Sequence, residues 1–483
     1  MILLDDISEI SIKEILNLYR KYVGAGYTKM LSSLSFGRDI FVKAEGMYIY
    51  TNTNKKILDF TGGSGVLNHG HNHPDILKAR IDYQNQKNME VHKIVFSPYT
   101  AVLSHNVAEL LPADLNKCFF PNSGAEAVEG ALKLAYRYHK GKRDYVMHSD
   151  IAFHGKLIAS GSLATSYPDN EGFQKIPYTQ SFRYDDIESV KDRLKLLTKK
   201  GKCNVYAIII EPFSAGHSTA CSEEFLYQLR KICDDNKIVL IFDEIFSGWG
   251  KTGYLFYFMK YKELYPDILT MSKSLGGGKS SISCYVTRDK VFNKAYGSVK
   301  DSTKHSSTYS GFGEETITAI EAVRIVVEED YANRAKKIDM YLTTRLEKLK
   351  DKYPDTIKEI RGEGTLKCIV ISAPFSIVGK LFQSIPFEAM KNQSEMIGKI
   401  VGAAIIDELY NGHNILMEAA CRRIPLRNGD GFELGVYLMI CPSCIADESH
   451  IDEFISGLDK TLERGMINLV RRFVKNNVKS IFK

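Results

Sequence analysis

What the chain lacks narrows it first. It has no apolar run of membrane length: the longest, such as Tyr206 to Ile210 and Ile238 to Phe242, are strand-sized, against the ~20 residues a membrane helix needs. No membrane span is therefore expected. The opening Met1 to Ile10 carries Asp5, Asp6 and Glu9 without a basic lead or an apolar core, so no secretory signal is expected and a cytoplasmic protein is. There is no internal repeat and no low-complexity stretch. The nine cysteines are odd in number and irregularly spaced, which suits reduced, buried thiols rather than a disulfide framework. Cys441-x-x-Cys444 has no second pair to complete a metal site. A net charge of +6 over 483 residues is too dilute for the basic footprint of a nucleic-acid binder. Small-molecule chemistry is what remains.

What is present is ordinary globular composition, with 44% hydrophobic and 25% charged residues and only Gly 36 and Pro 13. The length is about three times the ~150-residue unit of one domain, so two or three cores are expected. From about Lys117 the pattern is strand, glycine-containing turn and helix, repeated. Cys118–Phe120 runs into Asn122-Ser123-Gly124 and a helical stretch with Ala127, Ala131, Leu134, Ala135 and Tyr138 on one face; Val205–Ile210 precedes a helix over Glu223–Asp235, and Ile238–Phe242 follows. Near-continuous apolar strands between helices predict a mostly parallel sheet covered on both faces. After about Gly313 the texture changes to charged helices (Glu314–Glu329, Tyr331–Lys352) and short strands (Thr365–Ile371, Phe432–Ile440), which reads as a smaller α+β domain.

Chemistry concentrates at a few spaced pieces. Ile241-Phe242-Asp243-Glu244 sets a carboxylate at the carboxyl end of a buried strand, where α/β sheets open their ligand crevice. Thirty residues on, Lys273 follows a second apolar run and precedes Gly276-Gly277-Gly278. A lysine in small, apolar surroundings can lose its proton and form a Schiff base with an aldehyde. A carboxylate against a pyridinium nitrogen, with that lysine on the aldehyde, is what pyridoxal phosphate needs to act as an electron sink. Asn122-Ser123-Gly124-Ala125, at a helix N-terminus, offers backbone donors and a hydroxyl to a phosphate. Phe153, in Phe153-His154-Gly155, offers an aromatic face to a ring.

These pieces, with Gly70-His71-x-His73-Pro74, Phe153-His154-Gly155-Lys156, Glu211-Pro212, Gly248-x-Gly250-Lys251-Thr252-Gly253 and Ser307-Thr308-Tyr309-x-Gly311, follow one another in an order that resembles the class III (ω) aminotransferases, from about residue 15 to residue 460. The lead-in from Tyr19-Arg20-Lys21-Tyr22 to Leu58-Asp59-Phe60 is most similar to putrescine- and ornithine-type members. The resemblance implies a fold-type-I α/β enzyme with a large, mostly parallel-sheet domain and a smaller α+β C-terminal domain. It implies pyridoxal 5'-phosphate as cofactor, held by Lys273 as a Schiff base. Lys273 would also shuttle the proton and Asp243 would keep the ring nitrogen protonated. Ser123, Gly124 and Ala125 would bind phosphate, Phe153 would stack on the ring, and Glu211 would support the site near Asp243. Thr308 would reach the partner's phosphate, making a homodimer with shared active sites. The implied reaction moves the amino group of a terminal amine, of a diamine or an amino acid side chain, to a keto or aldehyde acceptor by a ping-pong route. The division expected is 1–65 as a segment packing with the small domain, 66–312 as the cofactor domain, 313–463 as the small domain and 464–483 as a basic amphipathic helix.

Other readings stand beside these. His69, His71 and His73 alternate and could line one face as metal ligands, but the segment matches a family turn that needs none, and no metal is expected. His154 can hydrogen-bond the cofactor or Glu211, or be a satisfied structural histidine. In the last helix Val470, Phe473, Val474 and Val478 fall at helical spacing among basic residues; such a stripe can lie on a membrane or grip an acidic partner, and packing on its own domain is preferred. The chain also departs from the family. Members that use 2-oxoglutarate pair a glutamate, five residues after that of Glu-Pro, with an arginine before Pro-Pro-Leu; here Gly216 and Leu438 stand in those places. Losing both is consistent, since one buried charge alone is costly. Arg422, Arg423 or Arg427 could substitute, or the reaction could be that of a racemase, epimerase or lyase with no such acceptor.

Overall fold

The computed structural model describes residues 1–164, 172–372, 393–425 and 432–481. Its largest sheet has seven strands in the order Leu115–Phe119, Cys284–Arg288, Ile268–Met271, Val239–Asp243, Val205–Ile210, Tyr145–Ser149, Thr179–Phe182. Cys284–Arg288 runs antiparallel to both neighbours, and the other pairings are parallel. Val205–Ile210 and Val239–Asp243 are buried along their whole length, as strands covered on both faces must be. Because these strands run the same way, their carboxyl ends share one edge. Glu211, Asp243 and the loops leading to Phe153 and Lys273 are all delivered there.

Helices cover the faces, and local chemistry starts them. Gly124–Tyr138 opens with a capping box: the Ser123 hydroxyl accepts the Glu126 N–H, and the Glu126 carboxylate accepts the Ser123 N–H. Ala127, Ala131, Leu134 and Ala135 then face the sheet. Strand and helix ends sit within a few residues of those expected from sequence. One assignment changes. The helix Gly313–Glu328, expected in the smaller unit, buries Ala319, Ala322, Val323 and Val326 in the core of the seven-stranded sheet. Charged ends made it read like its successor, whereas its small apolar positions fit the close approach to that core.

A second core begins with the helix Tyr331–Lys352 and gathers around an antiparallel sheet ordered Ile357–Glu363, Leu366–Ile371, Phe432–Ile440, Glu418–Pro425. The early strands Phe41–Glu45, Tyr48–Thr51 and Lys56–Asp59 form another sheet, completed in parallel by Ile415–Leu416. Leu58 and Phe60 thereby join the second core. The final helix, Met466–Ile481, buries Leu469, Val470 and Phe473 in that core, each worth about 1.5–3 kcal/mol of apolar burial. Arg464 and Arg472 both meet buried Glu408 at 3.1 Å. Leu469, Val470 and Phe473 of this basic helix are thus taken up by its own domain, with Val474 packed beside them; the Val478 side chain lies outside the described residues.

Candidate active site

At the sheet's carboxyl edge, against the second core, lies a cavity of about 600 Å³. Asp243 ends its strand there, 3% exposed. One carboxylate oxygen, Oδ2, is 2.6 Å from His154 Nδ1; the other, Oδ1, accepts the Ile245 N–H and the Thr270 hydroxyl, each at 3.1 Å. Thr270 sits opposite Asp243 in the parallel register, so the neighbouring strand fixes this carboxylate. His154 is fully buried, and among the described residues its Nε2 has no partner. The histidine therefore serves Asp243, not Glu211 as the sequence had allowed. Glu211 instead accepts the Phe153 N–H at 3.1 Å. Burial pushes its carboxyl up to about 7, with His154 opposing that rise and Asp243 adding to it.

Lys273 has a backbone φ of +49°, left-handed for a residue with a Cβ. Such a conformation costs on the order of 1–3 kcal/mol and persists where surrounding structure imposes it. Its Nζ donates to the Ser64 carbonyl at 2.6 Å and lies 4.0 Å from the centre of the Phe246 ring. Burial lowers its pKa, partly offset by Cys441, Glu418, Asp243 and Glu211. Gly155 (φ +123°) lets the loop after Phe153 cross the start of helix Gly124–Tyr138; a Cβ there would stand 2.7 Å from Ala125 Cβ.

Lys273, Asp243, Gly124, Ala125, Phe153, His154 and Glu211 all line this one cavity. Ser123 and Thr308 do not. The Ser123 hydroxyl is engaged by Glu126 in the capping box, at 3.1 Å, and Thr308 is exposed on the surface. Among the described residues the N–H groups of Gly124 and Ala125 have no acceptor, as expected of a helix start aimed at an anion. The acceptor positions also resolve. Gly216 faces the cavity, but Leu438 is buried in the second core and its neighbour Met439 lines the wall instead. By strand alternation the side chain turned to the cavity is that of Met439, one residue on. Arg422 reaches the cavity; Arg427 and the Arg423 side chain lie outside the described residues.

Sequence reasoning missed Ser64, Phe246, Thr270, Lys367, Glu418 and Cys441. Two carried a usable signal: Thr270 and Lys367 are polar residues in otherwise apolar, wholly buried strands. The three alternating histidines diverge. His69 bonds the Ala322 carbonyl at 3.0 Å, with burial lowering its pKa to about 3, His71 meets Asp59 at 2.8 Å and His73 approaches Glu329 at 3.8 Å.

A desolvated lysine facing a donor-clamped aspartate, beside free N–H groups at a helix start, is a set that fits pyridoxal phosphate, and a mostly parallel seven-stranded sheet carries it. These features define the class of pyridoxal-phosphate enzymes. Residues 37–381 match the family described as aminotransferase class-III. An acetylornithine aminotransferase from Agrobacterium fabrum is 31% identical over 360 residues, 72% of this chain and 84% of that protein. The chain belongs to the class-III aminotransferases. Among solved structures, an ornithine aminotransferase from Toxoplasma gondii with partial occupancy of PLP at its active site superposes with a TM-score of 0.75 at 22% identity, covering 95% of this chain and 96% of that one. An (S)-enantioselective omega-transaminase from Thermomicrobium roseum gives 0.73 at 22% identity over 88% and 92%.

Proposed function

We propose that the enzyme takes the amino group from a donor with a terminal amine, in the manner suggested by its acetylornithine and ornithine aminotransferase relatives, and passes it to a carbonyl acceptor in a second half-reaction. The observation that carries this reading is the placing of Lys273 Nζ and the Asp243 carboxylate on the walls of one cavity at the sheet's carboxyl edge. Pyridoxal phosphate, when bound, supplies an aldehyde and an electron-withdrawing ring. Lys273 would hold the aldehyde through its Nζ and, when released, would be the group placed to accept and return a proton at that same nitrogen. Asp243 keeps a proton at the ring nitrogen, and His154 with Thr270 holds Asp243 in orientation. Gly124 and Ala125 would hold the phosphate by their N–H groups, and Phe153 would cover the ring.

Exposed apolar residues cluster in Met89, Val91, Ile94, Val95 and Phe96, and Tyr309 beside Thr308 is also exposed. Such a patch suits a homodimer in which Thr308 reaches the partner's site. No disulfide joins any of the nine cysteines, which suits the cytoplasm; among the described residues no helix is long and apolar enough to cross a membrane. The family match favours transamination over racemisation or elimination. Absorbance distinguishes them. An amine added alone should convert the bound cofactor to its amino form, and recovery of unchanged cofactor with every amine tried would refute transamination.

A further inference from the structure

We propose that Glu418 is the group that recognises a second ammonium on the amino donor, so that the preferred donors carry two amines, one that reacts and one that stays charged. This rests on the reading of Lys273 as the point of covalent attachment. The charged groups of the cavity are mostly committed. Asp243 is held by His154, Ile245 and Thr270, and Glu211 by the Phe153 N–H. Lys367 is buried, with Nζ 2.6 Å from Asp339 and 3.1 Å from the Gly362 carbonyl. Glu418 differs. It begins the strand Glu418–Pro425, on the wall opposite the parallel sheet, and is exposed into the cavity. Its Oε1 accepts the Ser64 hydroxyl, and among the described residues its Oε2 accepts nothing.

Its position relative to the chemistry follows from Ser64. The same residue that donates to Glu418 accepts Lys273 Nζ through its carbonyl, at 2.6 Å. Glu418 thus stands one residue away from the attachment point, and its charge acts on Lys273. Once Lys273 is joined to the cofactor it is no longer a free ammonium, and the opposite wall holds a carboxylate with one satisfied oxygen. A monoamine has no second ammonium to offer Oε2 and so gains nothing from Glu418. A donor with a second ammonium supplies a charge-assisted hydrogen bond to Oε2. Acylating the second amine removes the charge that Glu418 would meet.

The test compares kcat/KM for butane-1,4-diamine and butylamine, with 2,5-diaminopentanoate and its Nα-acetyl derivative as a second pair. Borohydride labelling of Lys273 is recorded for each protein, so that failed cofactor attachment is seen separately from failed donor selection. In the native protein the two-amine member of each pair should be favoured. Glu418→Gln keeps an acceptor for Ser64 and removes only the charge; it should lower both preference ratios on the order of tenfold to a hundredfold, as for loss of a hydrogen bond to a charged group. Glu418→Ala should do the same. In Lys273→Ala protein, calorimetric affinity for the diamine should weaken by a similar factor when Glu418→Gln is added. Ratios that do not move, or a native protein that uses butylamine as well as the diamine, would overturn the proposal while leaving the labelled Lys273 and the aminotransferase reading intact. Absence of label on Lys273 would remove that reading and the proposal with it.

Discussion

Replacing Asp243 with asparagine changes one atom of a carboxylate held by three donors, and those donors decide the outcome. The side-chain oxygen of asparagine can keep the Ile245 N–H and the Thr270 hydroxyl, both at 3.1 Å. Its nitrogen then faces His154 Nδ1 at the 2.6 Å spacing, and two donors cannot share that gap. His154 must move its proton to Nε2, which has no partner among the described residues. The structural loss is one charge-assisted hydrogen bond, about 1.5–3 kcal/mol, so the fold should survive. The functional loss is larger. A fixed negative charge beside the ring nitrogen is gone, and removing one such preorganised electrostatic partner lowers a rate by about 10²–10³. The assay is rapid-mixing absorbance of the donor half-reaction at saturating cofactor. A rate within about tenfold of the native protein, with cofactor bound, would refute the argument and leave Asp243 a structural carboxylate.

Lys273→Ala should abolish turnover in a protein that still folds, and borohydride should fix the cofactor to Lys273 in the native chain; peptide mapping to any other lysine would remove the assignment. Glu211 has a folded-state pKa raised from 4.5 to about 7 by burial, so the stability it contributes is full below pH ~4.5 and is lost as pH rises through about 7. Melting curves of Glu211→Gln should therefore gain on the native protein across that window, and parallel curves would contradict the burial argument. With Gly216 and Leu438 where the family's charge pair is expected, and Met439 rather than a cation on the cavity wall, 2-oxoglutarate should be a poor acceptor. A KM between about 1 μM and 1 mM would contradict this, and Arg422→Ala would then show whether Arg422 holds it.

The parallel sheet was readable because its strands are apolar on both faces, and the attachment lysine because its motif follows such a strand. Asp243 and Lys273 sit where that logic puts them. Contacts between distant segments were not readable. Glu418 and Ser64 are separated by 354 residues, and neither belongs to a pattern that names its partner. Leu438 and Met439 differ only in which way the pleat turns, and a one-residue offset exchanges core for cavity. Helix Gly313–Glu328 misled because charge at its ends says little about which core its middle meets. Ser123 carried a second signal: three residues on stands Glu126, and the pair forms the capping box that starts the helix.

The parallel pairing of Ile415–Leu416 with Lys56–Asp59 has a consequence for how the chain comes to be. A ribosome releases the early strands long before their partner exists. At about 5–20 residues per second, some 356 residues of further synthesis correspond to a wait of about 20 to 70 s. Through that interval Lys56–Asp59 presents an unpaired edge, open to wrong partners on crowded neighbouring chains. The nascent protein would then depend on holdase chaperones at its first sixty residues, and its yield should fall when translation is slowed between them and residue 415.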